Sequence, residues 1–194
     1  MTRQRICSDE ADLIARCLQN DREAFGVLVE RYAEPILNMA YRMVGDHMEA
    51  KDLTQETFLS AWKGLPQFRA KSRFSTWLYR IAVNKCKDAL RARRASDEKM
   101  EPDRDDLVTV EYAVDYGTPE LELSRKEMEA HLEQALQAIP LLYREAFILK
   151  HVEGLSYEEM SEVLGVAGDT LKMRVYKARL ELRRMLSGVM GRTA

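Results

Sequence analysis

The sequence predicts an all-α protein, on three observations. Apolar residues recur at spacings of three and four in both halves of the chain. No stretch alternates with period two for long enough to argue a strand. The nine Gly and five Pro of the 194 residues are few, and most of them sit between the periodic runs or at their ends.

In the N-terminal half, Asn20-Asp21 offers a helix start. Phe25, Leu28, Val29, Tyr32, Ile36, Met39, Ala40 and Met43 then mark one face, interrupted at Pro35 and stopped at Gly45. A second run, Met48 to Lys63, carries Leu53, Phe58, Leu59 and Trp62 and ends at Gly64 with Pro66 beyond, the usual order of Gly just past a helix and Pro after it. A third starts near Ser72 or Ser75 as N-cap and holds Trp77, Leu78, Ile81, Ala82, Lys85 and Leu90 to about Arg94.

In the C-terminal half, Thr118-Pro119-Glu120 reads as a cap with Pro at the first helical position, opening a helix through Leu123, Met128, Leu132, Leu136 and Ile139. Pro140 starts another, with Ala146, Phe147, Leu149 and Val152, ending at Gly154. Ser156-Tyr157-Glu158-Glu159 is a capping box, in which Ser and Glu each satisfy a free backbone donor of the other. Its helix holds Met160, Val163 and Leu164 and stops at Gly165. The last helix runs from about Asp169, a candidate N-cap, to Leu186 through Leu171, Val175, Ala178, Leu182 and Met185.

The net charge of −2 hides an uneven arrangement. Residues 1–95 hold 17 Lys/Arg against 12 Asp/Glu, residues 96–122 hold two against ten, and residues 123–194 hold 11 against 10. The acidic block lacks a helical apolar repeat and contains Pro102, Gly117 and Pro119, so it reads as a linker between two small domains. One domain with a long acidic loop is the alternative, although loops of that length are uncommon in compact domains.

Several function classes are excluded. No stretch approaches the ~20 apolar residues of a membrane-spanning helix. No apolar run follows Met1–Ile6, so the chain reads as carrying no secretory signal. Cys7, Cys17 and Cys86 form no CxxC pair, which argues against a disulfide framework or zinc site and for a reducing cytoplasm. GxGxxG, GxxxxGK[ST], HExxH and GxSxG are all absent. His47, His131 and His151 are scattered, and Glu158-Glu159 sits at a solvated helix start favoured by the helix dipole. No catalytic residue, metal or cofactor is expected.

Three constellations remain. Between Lys63 and Arg94 lie ten cations, with Arg69, Lys71, Arg73, Arg80, Lys87 and Arg91 among them, against the single acid Asp88. They are interleaved with Phe68, Phe74, Trp77 and Tyr79, and cations beside aromatic faces suit a nucleic-acid strand. The blander reading makes Trp77 and Phe74 core and the cations a solvated face. Leu155 to Leu186 forms a helix-turn-helix whose second helix bears Lys172, Arg174, Lys177, Arg179, Arg183 and Arg184 against Glu181. Lys172, Met173, Tyr176 and Lys177 share roughly one face of it, opposite Leu171, Val175 and Ala178. Finally Asp52, Gln55, Glu56 and Leu59 form a stripe along one helix, with Phe58 and Trp62 beside it; buried aromatics explain part of this pattern without any partner, and the polar stripe alone is a weak signal.

In this order the three constellations resemble the extracytoplasmic-function (ECF) group of sigma-70-type bacterial RNA polymerase sigma factors, over about Ala24 to Leu186. Phe25 to Gly45 is similar to region 2.1, Asp52 to Trp62 to region 2.2, and Phe68 to Ala82 to the promoter-melting loop and helix. Tyr143-Arg144-Glu145 through Glu159 resembles region 4.1 leading into the helix-turn-helix.

The resemblance implies residues 1–95 as region 2, 96–118 as an acidic flexible linker, and 119–194 as region 4. It implies that Asp52, Gln55, Glu56, Phe58, Leu59 and Trp62 dock on the β′ clamp helices of core RNA polymerase, and that the β flap is a second contact. Arg69, Lys71, Ser72, Arg73, Phe74, Trp77, Arg80, Asn84, Lys87 and Arg91 would take the −10 element, the loop around Ala70 to Ser75 capturing a flipped base. Tyr157, Lys172, Met173, Arg174, Tyr176, Lys177 and Arg179 would take the −35 element, with Arg174 and Arg179 on phosphates. The acidic linker would thread towards the polymerase cleft. Family members are often held by an anti-sigma factor, frequently one anchored in the membrane; no small-molecule substrate is implied.

The chain departs from the family pattern at Ala167, Asp169 and Met173, where members usually have Pro, Gly and Ser. Met173 lacks the hydroxyl's hydrogen bond and could instead touch a thymine methyl. A free-standing helix-turn-helix regulator is the main rival, but it needs neither a melting loop nor a docking stripe. A nucleic-acid-processing enzyme would need a metal-binding carboxylate cluster that the sequence lacks.

Overall fold

The computed structural model describes residues 2–68, 72–97 and 125–190. Eight α-helices order the described chain: α1 (Thr2–Leu18), α2 (Arg22–Val44), α3 (His47–Gly64), α4 (Phe74–Asp97), α5 (Arg125–Ala138), α6 (Leu141–Phe147), α7 (Tyr157–Leu164) and α8 (Gly168–Met190). Leu65–Gln67 is a 3-10 turn after α3, and Ile148–Val152 a π turn that extends α6. No strand occurs among the described residues. The acidic linker and the predicted start of α5 at Pro119 lie outside them, as do Arg69 and Lys71.

Capping chemistry accounts for five helix ends: both ends of α2, both ends of α7 and the start of α3. Asp21 accepts from the backbone N–H of Glu23 and Ala24 to open α2, and Asp46 from that of Glu49 to open α3. Gly45 ends α2 in the left-handed region at φ 81°, its N–H bonded to the Tyr41 carbonyl. The capping box holds in both directions: Glu159 N–H donates to Ser156 Oγ at 3.1 Å, and Ser156 N–H to Glu159 Oε2 at 2.8 Å. Gly165 ends α7 at φ 67°.

Four expectations need correction. The helix α1 has no counterpart in the sequence reading; it buries Leu13 and Cys17, one turn apart, and ties to α2 through Asp9–Arg31 at 2.6 Å. Gly64 is not a left-handed cap, for it stays right-handed at φ −85° and passes into the 3-10 turn. Its lack of a side chain serves close packing instead, since a Cβ there would stand 3.3 Å from the Trp77 ring. The helix α4 starts at Phe74, which leaves Ser75 inside its first turn. Asp169 is not the N-cap of α8 but lies in its first turn, where Lys172 donates to it at 2.9 Å.

The two halves meet along a seam. In the first, α3 and α4 pack on α2; in the second, α5, α6 and α7 pack on α8; then α4 lies on α7 and α2 on α5. The buried apolar residues form one cluster running from Leu13 to Leu182 through both halves. Within α8, Leu171, Val175, Ala178 and Leu182 are all buried, the face that the spacing predicts.

Candidate nucleic-acid interface

On α4 the predicted residues sort by helix geometry. Steps of three and four from Trp77 lead to Arg80, Asn84, Lys87 and Arg91, so these five share one stripe about 21 Å long at 1.5 Å per residue, and Arg73 stands just before the helix, four residues ahead of Trp77. Arg73, Arg80, Asn84 and Arg91 are exposed. The opposite side is core: Phe74, Leu78, Ala82, Val83 and Cys86 are buried, and burial pushes the Cys86 thiol up to about 12.

The aromatic residues belong largely to that core. Phe74 is 1% exposed and packs with Phe68, Trp77 and Tyr32 at ring distances of 5.9, 5.7 and 5.7 Å. Phe74 is therefore corrected from a DNA contact to the centre of an aromatic cluster. Trp77 is half-buried against Phe68 and keeps only part of its ring free. Ser72 is half-buried at the edge of the loop.

On α3, Asp52, Gln55, Glu56 and Leu59 are exposed, Leu59 at 60%. Phe58 is buried beneath them, edge-on to Phe25 at 6.5 Å, and Trp62 packs on the same ring at 4.9 Å. Phe58 is thus corrected to a support for the stripe: it cannot meet a partner without leaving the core. Glu56 also pairs with Lys85 of α4 at 2.9 Å.

On α8, Met173 and Tyr176 are exposed at 55% and 61%, and Lys172, Lys177 and Arg179 are exposed with them. Lys177 stands over the Tyr143 ring at 5.8 Å. Arg174 turns inward and pairs with Glu145 at 3.2 Å. Tyr157 is half-buried under the Lys150 ammonium, 4.7 Å from its ring centre. The histidines form no metal group among the described residues; His47 stacks on Tyr41 at 3.7 Å.

Sequence reasoning missed the residues that face α4 from the other half. Glu145 is 2% exposed, and its carboxylate meets Lys87 at 2.7 Å as well as Arg174. Glu153 accepts a short hydrogen bond from the Tyr79 hydroxyl, and burial raises the ionisation range of both groups. Glu159 is not simply solvated: it pairs with Arg73 at 3.2 Å. Beside them, Arg144 donates to the Met43 carbonyl at 2.6 Å and to the carbonyls of Gln137 and Ile139. Burial, with Arg93 and Arg94 nearby, lowers its pKa to about 10, so it remains charged at neutral pH.

The comparisons agree with this architecture. The sigma-70 region 2 model matches residues 28–96 and the sigma-70 region 4 model residues 129–182. The RNA polymerase sigma-H factor of Pseudomonas aeruginosa is 37% identical over 173 residues, covering 88% of this chain and 90% of its own. The ECF RNA polymerase sigma-E factor of Haemophilus influenzae is 33% identical over 175 residues, covering 89% and 92%. The sigma factor RpoE of Bartonella quintana, solved with the anti-sigma factor NepR, superposes with a TM-score of 0.65 at 26% identity, over 84% of this chain and 96% of that one. With regions 2 and 4 both matched and relatives spanning nearly its whole length, the chain belongs to the ECF group of sigma-70-type RNA polymerase sigma factors.

Proposed function

We propose that the chain works as a dissociable specificity subunit, dividing three contacts among three helices. The exposed stripe of α3, at Asp52, Gln55, Glu56 and Leu59, docks on the β′ clamp helices of core RNA polymerase. The stripe of α4, at Arg80, Asn84, Lys87 and Arg91, follows the −10 strands, with Arg69, Lys71, Ser72 and Arg73 before it. Melting needs no catalytic residue, because capture of an extruded base offsets the few kcal/mol of unstacking. The exposed face of α8, at Lys172, Met173, Tyr176 and Lys177, reads the −35 element in the major groove, while Arg179 takes phosphate. The protein acts in the cytoplasm, contacts the β flap through region 4, and is held in reserve by an anti-sigma factor.

The observation that supports this reading best is the α4 stripe: exposed Arg80, Asn84 and Arg91 with Lys87 in line on one helix, exposed Arg73 just before it, above an aromatic core. The test is run-off transcription with purified core polymerase and a −10/−35 promoter. Product that requires the added protein is expected. No product and no core binding, with duplex binding retained, would favour a free-standing regulator.

A further inference from the structure

The face of α8 that points away from the core is apolar along its midline. Met173, Tyr176 and Leu180 follow one another at steps of three and four, and Leu180, at 54%, is as exposed as the other two. At about 100° per residue the three fall within about 60° of one another. Their centre lies about 160° from that of buried Leu171, Val175, Ala178 and Leu182. Single exposed apolar side chains are ordinary. Three in line opposite a packed face make a ridge about 10 Å long at 1.5 Å per residue.

Positive charge borders the ridge on both sides. By the same angular count Lys172, Arg179 and Arg183 stand along one flank, and Lys177 and Arg184 along the other, all of them exposed. Lys172 and Arg184 also pair with Asp169 and Glu181 one turn away, exposed pairs of a kind that hold a side chain only weakly. An apolar midline between two cationic borders is complementary to the major groove of duplex DNA. Phosphates line both rims of that groove, and on its floor the C5 methyl of thymine is the one apolar group that the four ordinary bases present.

We infer that Met173 and Tyr176 read the methyl groups of thymines on neighbouring base pairs of the −35 element, so that the chain selects thymine there by apolar contact. The inference rests on the assignment of α8 to the −35 duplex and deepens it, naming the chemical group that is read and the residues that discriminate. Met173 and Tyr176 are the readers because a recognition helix meets base edges with its N-terminal turns. Leu180, one turn further on, shields the far end of the contact from water. Deoxyuridine differs from thymidine only in that methyl. The contact therefore discriminates between two bases that carry the same charge and the same hydrogen-bonding groups.

The experiment uses the holoenzyme formed from the full chain and core polymerase. A duplex promoter is selected by the wild-type holoenzyme from a pool randomised over the −35 element, and its −35 thymines are then replaced one at a time by deoxyuridine on either strand. Competition binding should show a loss of about fourfold at two neighbouring positions, the value of one buried methyl group at each. Met173→Ser should abolish the loss at one of the two positions and Tyr176→Ala at the other, with the circular dichroism spectrum of each variant unchanged. A selected element without thymine, or equal binding of thymine and deoxyuridine at every position, would overturn the inference. Losses that persist in both variants would overturn it too, and if the same variants impair assembly with core polymerase the ridge is a protein-docking surface instead. Run-off transcription from the selected promoter keeps the outcomes apart. Product with no deoxyuridine effect rejects the ridge but not the proposed function, whereas no product with the wild-type chain rejects that function and the inference with it.

Discussion

Gly45→Ala compared with Gly165→Ala isolates what one glycine contributes beyond a helix cap. Both residues end a helix in the left-handed region, at φ 81° and 67°. An alanine in that region costs about 1–2 kcal/mol. A Cβ at Gly165 would meet nothing within 4 Å, so that cost should be the whole effect there. At Gly45 the Cβ would stand 2.9 Å from Cδ of Gln137. That side chain is not free to swing, since it donates to the Arg42 carbonyl and accepts from the Arg144 guanidinium. Losing one neutral bond and one to a charged group adds about 2–4 kcal/mol. Urea unfolding of the full chain, monitored by circular dichroism, should therefore give a loss for Gly45→Ala larger than that for Gly165→Ala by about 2 kcal/mol or more. Equal losses would mean that Gln137 moves aside at no cost, and the account of the seam's polar packing would fail with it.

Other perturbations address the function. Lys172→Ala and Lys177→Ala should each weaken holoenzyme binding to the cognate promoter about tenfold to a hundredfold and relax preference at one −35 position; equal weakening across all promoters would make them phosphate contacts. Changing Gln55 and Glu56 together to Ala should abolish assembly with core polymerase in gel filtration while the circular dichroism spectrum stays unchanged; normal assembly would remove α3 as the docking face. Glu153→Gln should raise the unfolding midpoint at neutral pH. Burial raises the Glu153 carboxyl above its ordinary range, so its ionised form opposes folding at neutral pH, and the opposition fades as pH falls through that raised range. Glutamine keeps an acceptor for Tyr79, so the gain should shrink towards acid pH; a lower midpoint at pH 7 would refute this sign.

The fold was legible where local chemistry decides it. Asp21, Gly45, Ser156, Glu159 and Gly165 cap the helices that their residue types predict, because capping is a matter of a few neighbouring backbone donors. Gly64 misled because the same residue type serves two purposes, and only the approach of Trp77 tells which one applies. For Phe58 and Phe74 a buried role was open in the sequence, but nothing there decided it. Helical spacing puts Phe58 beside the docking stripe and Phe74 among cations, and burial depends on Phe25 and Tyr32 arriving from α2. The carboxylates that face α4 were least legible of all. Their pairs lie 58 to 86 residues apart in sequence, and each carboxylate alone looks like an ordinary helix charge.

The position of the seam also bears on the order of events. The seam involves the C-terminal end of α2, the length of α4, and α5 to α7, whereas α3 packs on α2 and α4 with its polar stripe facing outward. A polymerase approaching Asp52, Gln55 and Leu59 would thus find its surface available while Arg73 and Lys87 are still held by Glu159 and Glu145. The two surfaces are nevertheless joined, because Glu56 of the docking stripe pairs with Lys85 of α4. Exposed pairs of this kind contribute only about 0–1 kcal/mol, so contact at Glu56 could not by itself open the seam. On the proposed function, any parting of the halves comes from contacts made by region 4. These are the flap and the −35 duplex, which both engage the second half of the chain. Docking through α3 therefore requires no parting of the two halves, because its polar stripe is exposed while they are packed together.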